Sequence, residues 1–276
     1  MAELAYPGTD KYAMAEFMAV IMARDLAGDE EKWGGGGANV VIPLAAGRLA
    51  QLTVAPNIWL FTGGAGVFNG KFDTLPLGTW DPRVGVGAEC KNYMMDVVDL
   101  GTSTRNRLPF AGLCFCGMQV DRYGNINMIG VGGSHPTLKV RGPGTVGGIW
   151  MGAGPNHIFV EHHSRRIFVD RVEYISGAGW LNGGDSRYEA LDGREGPTIV
   201  WTPICVCDFT EDEHRMRLVS VHPGYTVDDV VENTGFELVM SEEVPTTTPP
   251  TDWELEMLRT RVDRGGQLRT RRLTVG

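Results

Sequence analysis

The chain has 276 residues, is 42% hydrophobic and 21% charged, and carries a formal net charge of −9. This composition supports a full hydrophobic core, and the acidic balance argues against general affinity for nucleic acid or an anionic membrane, whose phosphates would repel it. No apolar run approaches the roughly 20 residues a membrane span needs, and Asp10, Lys11 and Glu16 interrupt the N-terminal apolar pattern. No signal peptide is expected, and the chain is assigned to the cytoplasm.

In chain order, Tyr12, Phe17, Val20, Ile21 and Leu26 recur at helical spacing over 10–27, with Gly28 as the stop. The glycine run at 34–37 precedes a short extended piece and a helix opening near Pro43, a residue suited to a first turn. The run lacks the lysine and hydroxyl residue of a nucleotide P-loop. A buried strand follows at 57–61, ending in Thr62-Gly63-Gly64-Ala65-Gly66. Residues 67–109 read as long loops with a short helix around 90–97. Strands are expected at 112–120, 126–131, 157–161, 166–175 and 198–208. Thr226 with Asp229 three residues on starts a short helix that an Asn-Thr-Gly stop ends, before a terminal strand. Thr251 with Glu254 opens a last helix by the same device. Helix and strand in alternation are the signature of an α/β fold. With no linker or repeat, the economical reading is one domain over 1–276, its residues 265–276 a flexible tail.

The five cysteines lie at Cys90, Cys114, Cys116, Cys205 and Cys207. A C-x-C on a strand puts both thiols on one face, and these segments read as buried strands in which reduced cysteine acts as a small hydrophobe. The spacing is wrong for a thiolate metal site, so none is expected. Of the histidines, His135 sits in a glycine-rich loop and is the best local candidate for a general base. His162, His163 and His222 are explained adequately as structural residues.

Three segments together resemble the β subunits of class I CoA-transferases of the glutaconate and 3-oxoacid type: "GMQVDRYGNINMIGV" (117–131), "HPGYTVDDVVENTGFEL" (222–238) and "PPTDWELEMLRTRVD" (249–263). Between them, "VRGPGTVGG" and "RRIFVDRVEYISG" resemble the family's glycine-rich loop and following strand. Within the family the likeness is greatest to β subunits of steroid-ring-opening acyl-CoA hydrolases, carried by "RLAQLTVAPNIWL" and "FVDRVEYISGAGW". The resemblance implies the CoA-transferase-like (NagB/RpiA-like) fold with an open, largely parallel sheet flanked by helices, a coenzyme A thioester as substrate with no permanently bound cofactor, and pairing with a homologous α subunit as α2β2. It implies neither nucleic acid nor membrane as a partner.

In the transferring members a glutamate in the loop after an Ala-Pro-Asx strand carries CoA covalently. Counted from Pro56, that position is Gly63 here, followed by Gly64, and glycine cannot form the thioester. The nearest carboxylates, Asp73 and Asp81, lie beyond a further loop. Backbone amides suit the remaining task of stabilising an oxyanion, which makes Gly132, Gly133, Gly144, Gly147 and Gly148 candidates beside Gly63 and Gly64. Gln119 and Asn127 are candidates to line the pocket through their amides. The acid/base carboxylate is expected on the α subunit.

Overall fold

The computed structural model describes residues 10–28, 33–36, 41–62, 66–78, 81–93, 110–134, 137–144, 148–152 and 154–276. Its contacts group into two compact units, where the sequence suggests one domain. The first runs up to Cys114 and includes Thr248–Leu273; the second holds Phe115–Thr247 and Thr274–Gly276.

In the first unit, α1 (Met14–Asp25) is apolar nearly all round, so every residue from Met14 to Ala23 is buried. It packs on α2 (Val41–Leu52), whose Pro43 lies in the first turn as its missing N–H allows. Beneath α2, β1 (Trp33–Gly36) pairs in parallel with both β2 (Trp59–Thr62) and β5 (Phe110–Phe115). β3 (Val67–Phe68) and β4 (Cys90–Lys91) add antiparallel strands beyond β2. The α2–β2 contact is close: a Cβ on Gly47 would stand 2.5 Å from Leu60 Cδ1. The helix expected at 90–97 is not formed where it is described. Cys90 and Lys91 are exposed and pair with Phe68 and Val67, and 94–97 lie outside the described residues.

A C-terminal helix (Asp252–Met257), running on into a π-helical turn (Leu258–Val262), is tied to α1 by charge. Glu16, buried at 1% exposure, accepts from the Ala13 N–H at 3.0 Å and from Arg259 Nε at 2.8 Å. Arg24 grips Glu254 with two 2.6 Å bonds. Thr251 Oγ1 accepts from the Glu254 N–H at 3.2 Å while the Glu254 carboxylate accepts from the Thr251 N–H at 2.7 Å, the capping box expected from sequence. Residues read as a tail instead carry a helical turn (Gln267–Thr270) and a two-residue strand (Thr274–Val275), the latter within the second unit.

In the second unit, the "DRYGN" turn joins β6 (Gln119–Asp121) to β7 (Ile126–Asn127). Asp121 Oδ1 accepts from the Tyr123 and Asn125 N–H groups at 3.0 and 3.1 Å, and Gly124 takes a φ of +70° that a side chain would strain. β8 (Gly130–Val131) and β9 (Val140–Arg141) form a separate hairpin. The strand expected at 112–120 is therefore two, β5 and β6, and that at 126–131 is β7 and β8. Then come α3 (Gly148–Met151), β10 (Asn156–Phe159), β11 (His162–His163), β12 (Phe168–Val169) and α4 (Ser186–Ala190). β13 (Pro197–Trp201) pairs in parallel with β10 and turns through Thr202-Pro203 into antiparallel β14 (Cys205–Phe209), so the single strand read at 198–208 is a hairpin. β15 (Met216–Val221) has no counterpart in the sequence reading; α5 (Val227–Asn233) and β16 (Val239–Met240) do.

Two side chains anchor this unit. Trp201 is buried, as are Phe159, Ile158 and Val200 on neighbouring core positions. Arg187, with no exposed surface, donates to the carbonyls of Ala178, Gly179, Met151 and Arg194 at 2.6–3.0 Å. Burial lowers its pKa to about 10, so it stays charged at neutral pH.

Replacing Arg259 by Ala leaves a buried carboxylate without its main partner and should cost about 3 kcal/mol, the low end for such pairs. The low end applies because Arg259 is 32% exposed and Arg269 Nε stands 3.9 Å from Glu16. Urea unfolding measures it; a loss under about 0.5 kcal/mol contradicts the role given to Glu16. Burial disfavours the charge of Glu254, but Arg24 and the Thr251 amide and hydroxyl outweigh it and hold the carboxyl at about 2, against 4.5 ordinarily. A depressed carboxylate pKa stabilises above the unfolded value, so this contribution is complete above pH 4.5 and lost as pH falls toward 2. The urea midpoint should fall across that window, and less steeply in Glu254→Gln.

Candidate active site

The matched Gln-Val-Asp motif sets β6 against β7, and this pairing brings Gln119 opposite Asn127. Both are buried and their amides are internally bonded. Gln119 Oε1 accepts from Asn127 Nδ2 at 2.7 Å and from the Glu173 N–H at 3.1 Å. Asn127 Oδ1 accepts from the Ile129 and Gly130 N–H groups at 2.9 and 3.3 Å, and its Nδ2 also donates to Gly130 O at 2.9 Å. These two side chains bond to one another and to the start of the glycine loop.

Glu173, which the sequence does not single out, completes the arrangement. Its Oε1 accepts from Gln119 Nε2 at 3.3 Å and its Oε2 from the Gly132 N–H at 2.8 Å. The next residue, Tyr174, donates its hydroxyl to Gly133 O at 2.9 Å. The only sequence signal for Glu173 is its place in the matched "FVDRVEYISG" segment. Gln119, Asn127, Glu173 and Tyr174 thus brace a loop whose Gly132 sits at a φ of +80°. Side chains locked in this way by their own hydrogen bonds hold backbone donors in a fixed geometry.

The glycine candidates divide. The amides of Gly132 and Gly144 are already engaged, with Glu173 and with Met128 O at 2.9 Å. The amides of Gly133 and Gly148 make no such bond among the described residues. Gly148 opens α3 pressed so tightly on Ser176 O that any Cβ would clash with it. Gly63, Gly64, Gly147 and His135 lie outside the described residues.

Three of the described histidines bond within the chain. His222 has no exposed surface; its Nε2 donates to Thr202 O at 2.9 Å and its Nδ1 meets Thr247 Oγ1 at 3.0 Å. Burial lowers its pKa to about 3, so it is neutral at physiological pH. His163 is buried, stacked on Phe168 with Nε2 3.1 Å from Thr234 Oγ1. His162 is exposed, with Nδ1 2.5 Å from Thr274 Oγ1. Cys205 and Cys207 share one buried face, sulfur to sulfur 3.9 Å, as the C-x-C spacing requires. Cys114 and Cys116 do not: Cys114 is buried and Cys116 exposed, because β5 ends at Phe115 and the period-2 alternation ends with it. Among the described residues, no three His, Cys, Asp or Glu side chains converge as metal ligands.

The two carboxylates that follow the emptied loop are committed elsewhere. Asp73 Oδ2 pairs with Arg264 Nη1 at 2.6 Å, and Asp81 caps a 3-10 turn (Pro82–Gly85) while gripping Arg83. The Arg83 guanidinium holds the Asp81 carboxyl well below the usual carboxylate range.

The coenzyme A transferase family model matches residues 35–233. Over 252 residues the chain is 32% identical to the β chain of the 3-oxoadipate CoA-transferase of Pseudomonas knackmussii, spanning 90% of this chain and 92% of that one. Over 232 residues it is 31% identical to the IpdB chain of the cholesterol ring-cleaving hydrolase of Rhodococcus jostii, spanning 80% and 82%. The crystal structure of IpdAB from Rhodococcus jostii RHA1 superposes with a TM-score of 0.78 at 27% identity, over 95% of this chain and 99% of that one. The overlap bears out the CoA-transferase-like fold expected from the motifs. A family model that spans most of the chain, with relatives aligned nearly end to end, has one meaning: the chain belongs to the coenzyme A transferase family.

Proposed function

We propose that this chain is the β subunit of an acyl-CoA hydrolase that uses water to open a carbocyclic ring of a cyclic diketone acyl-CoA, as in steroid degradation. The observation that carries the reading is Gly63, at the position where transferring relatives keep their nucleophilic glutamate. The commitment of Asp73 to Arg264 and of Asp81 to Arg83 supports it, since neither is held ready as a substitute. The likeness to the IpdB chain of a cholesterol ring-cleaving hydrolase points the same way.

In the reaction, water adds to a ring carbonyl and its oxygen becomes part of a new carboxylate. The ring C–C bond breaks, its electron pair passes to the neighbouring carbon as the enolate of the second carbonyl, and that carbon takes up a proton. The thioester survives. Glycine amides, those of Gly133 and Gly148 among them, polarise the carbonyl, and a homologous α subunit in an α2β2 complex supplies the acid/base carboxylate. His135 is the base candidate on this chain. Glu173, through Gly132, acts as a positioning residue. The complex works in the cytoplasm without a resident cofactor.

A genuine CoA-transferase is the second reading, favoured by the 32% identity to the β chain of the 3-oxoadipate enzyme; a β chain that only completes the partner's site is the third. Assaying the assembled complex in 18O-labelled water separates the first two. The hydrolase reading expects one label in the product's new carboxylate with CoA still attached. Free CoA moving to an acceptor acid, without ring opening, contradicts it. Glu173→Gln should lower kcat by about tenfold with KM little changed, because a charge-assisted bond to Gly132 becomes a neutral one. Equal kcat in Glu173→Gln and wild type removes the positioning role.

A further inference from the structure

At the amino-terminal end of β2, within the first unit, a cavity of about 350 Å³ opens between the end of α2 and the segments flanking β3 and β4. Its lining includes Arg48, Gln51, Trp59, Asn69, Lys71 and Glu89. It opens at the start of a four-residue strand, on the order of 10 Å from that strand's other end.

The floor is a continuous polar network. Arg48 Nη1 donates to Gln51 Oε1 at 3.1 Å, and Gln51 Nε2 donates to Ile58 O at 3.0 Å and Asn69 Oδ1 at 2.9 Å. Asn69, held at a φ of +51°, also accepts from the Leu60 N–H and donates to Glu89 Oε2 at 3.0 Å. Glu89 Oε1 stands 3.4 Å from Lys71 Nζ. Such linkage fixes side chains that would otherwise be free to rotate.

Arg48 is the odd member. Its Nε is buried with no hydrogen-bond partner among the described residues. The nearby charge that bears on it is another cation, Arg261, rather than a carboxylate, and burial and Arg261 together lower its pKa. A half-buried guanidinium whose electrostatic neighbour is a cation, in a chain of net charge −9, is costly unless an anion arrives. Beside it, Trp59 lines the same cavity and is 42% exposed, with one ring edge set against Phe68 at 6.0 Å. A guanidinium and an ammonium beside an accessible indole suit an oxyanion carried on a flat apolar body.

We propose that this cavity is a second ligand site, separate from the acyl-CoA site, that binds a small carboxylate: the anion on Arg48 and Lys71, the apolar body against Trp59. The site stands whether or not the hydrolase reading does, since it uses none of the same residues.

Titration calorimetry of the assembled complex with benzoate as probe tests it. Saturable binding is expected, about tenfold weaker in Arg48→Gln, and weaker also in Lys71→Gln, whose half-exposed position spares the fold. Trp59→Ala should weaken benzoate while leaving inorganic phosphate, a competitor at the same cations, unaffected. Acyl-CoA turnover in Lys71→Gln should equal wild type. Absence of saturable binding, binding unchanged in Lys71→Gln, or displacement of benzoate by coenzyme A overturns the proposal.

Discussion

A strand of almost bare backbone holds the first unit's parallel core. β1 is Trp-Gly-Gly-Gly, and it pairs along its length with β2 on one side and β5 on the other. Glycine weakens a strand by its entropy and offers no side chain to pack, so the ladder's hydrogen bonds and the helix above must hold the register. α2 does this from close range, with Gly47 against Leu60 and Gln51 bonded to Ile58 O. That clamp fixes the direction of β2.

Five carboxylates of the described residues are occupied. Glu16, Asp73, Asp81 and Glu254 each face an arginine, and Glu173 faces a backbone amide. An acid already stabilised as its anion by a guanidinium is a poor nucleophile and a poor base. On the hydrolase reading, polarisation falls to backbone amides and not to these five carboxylates.

Much of the fold is legible where one residue type has one local job. Gly28 follows the end of α1, and the Thr226 and Thr251 boxes start their helices, because capping depends on three or four adjacent residues. The apolar alternation of "IFVDRVEYI" misleads over 166–175. Only Phe168 and Val169 pair as a strand; beyond them the Val172 and Glu173 amides bond to Asp121 and Gln119 side chains instead of to a neighbouring strand. β15 escapes the sequence reading because Val219 on its exposed face and Ser220 on its buried face break a short apolar alternation. The glycine strand β1 has no side-chain period to read. For the site, the motif locates Gln119 and Asn127 but not their role, because Glu173 meets Gln119 from 54 positions away and nothing local announces it.

The central claim is that no acidic side chain of this polypeptide takes the acyl-CoA sulfur into a covalent adduct. Mass spectrometry of the assembled complex, turned over with acyl-CoA and quenched with borohydride, tests this directly. The account predicts every peptide of this chain at its unmodified mass. A reduced aspartate or glutamate on this chain, appearing only when acyl-CoA is present, contradicts it.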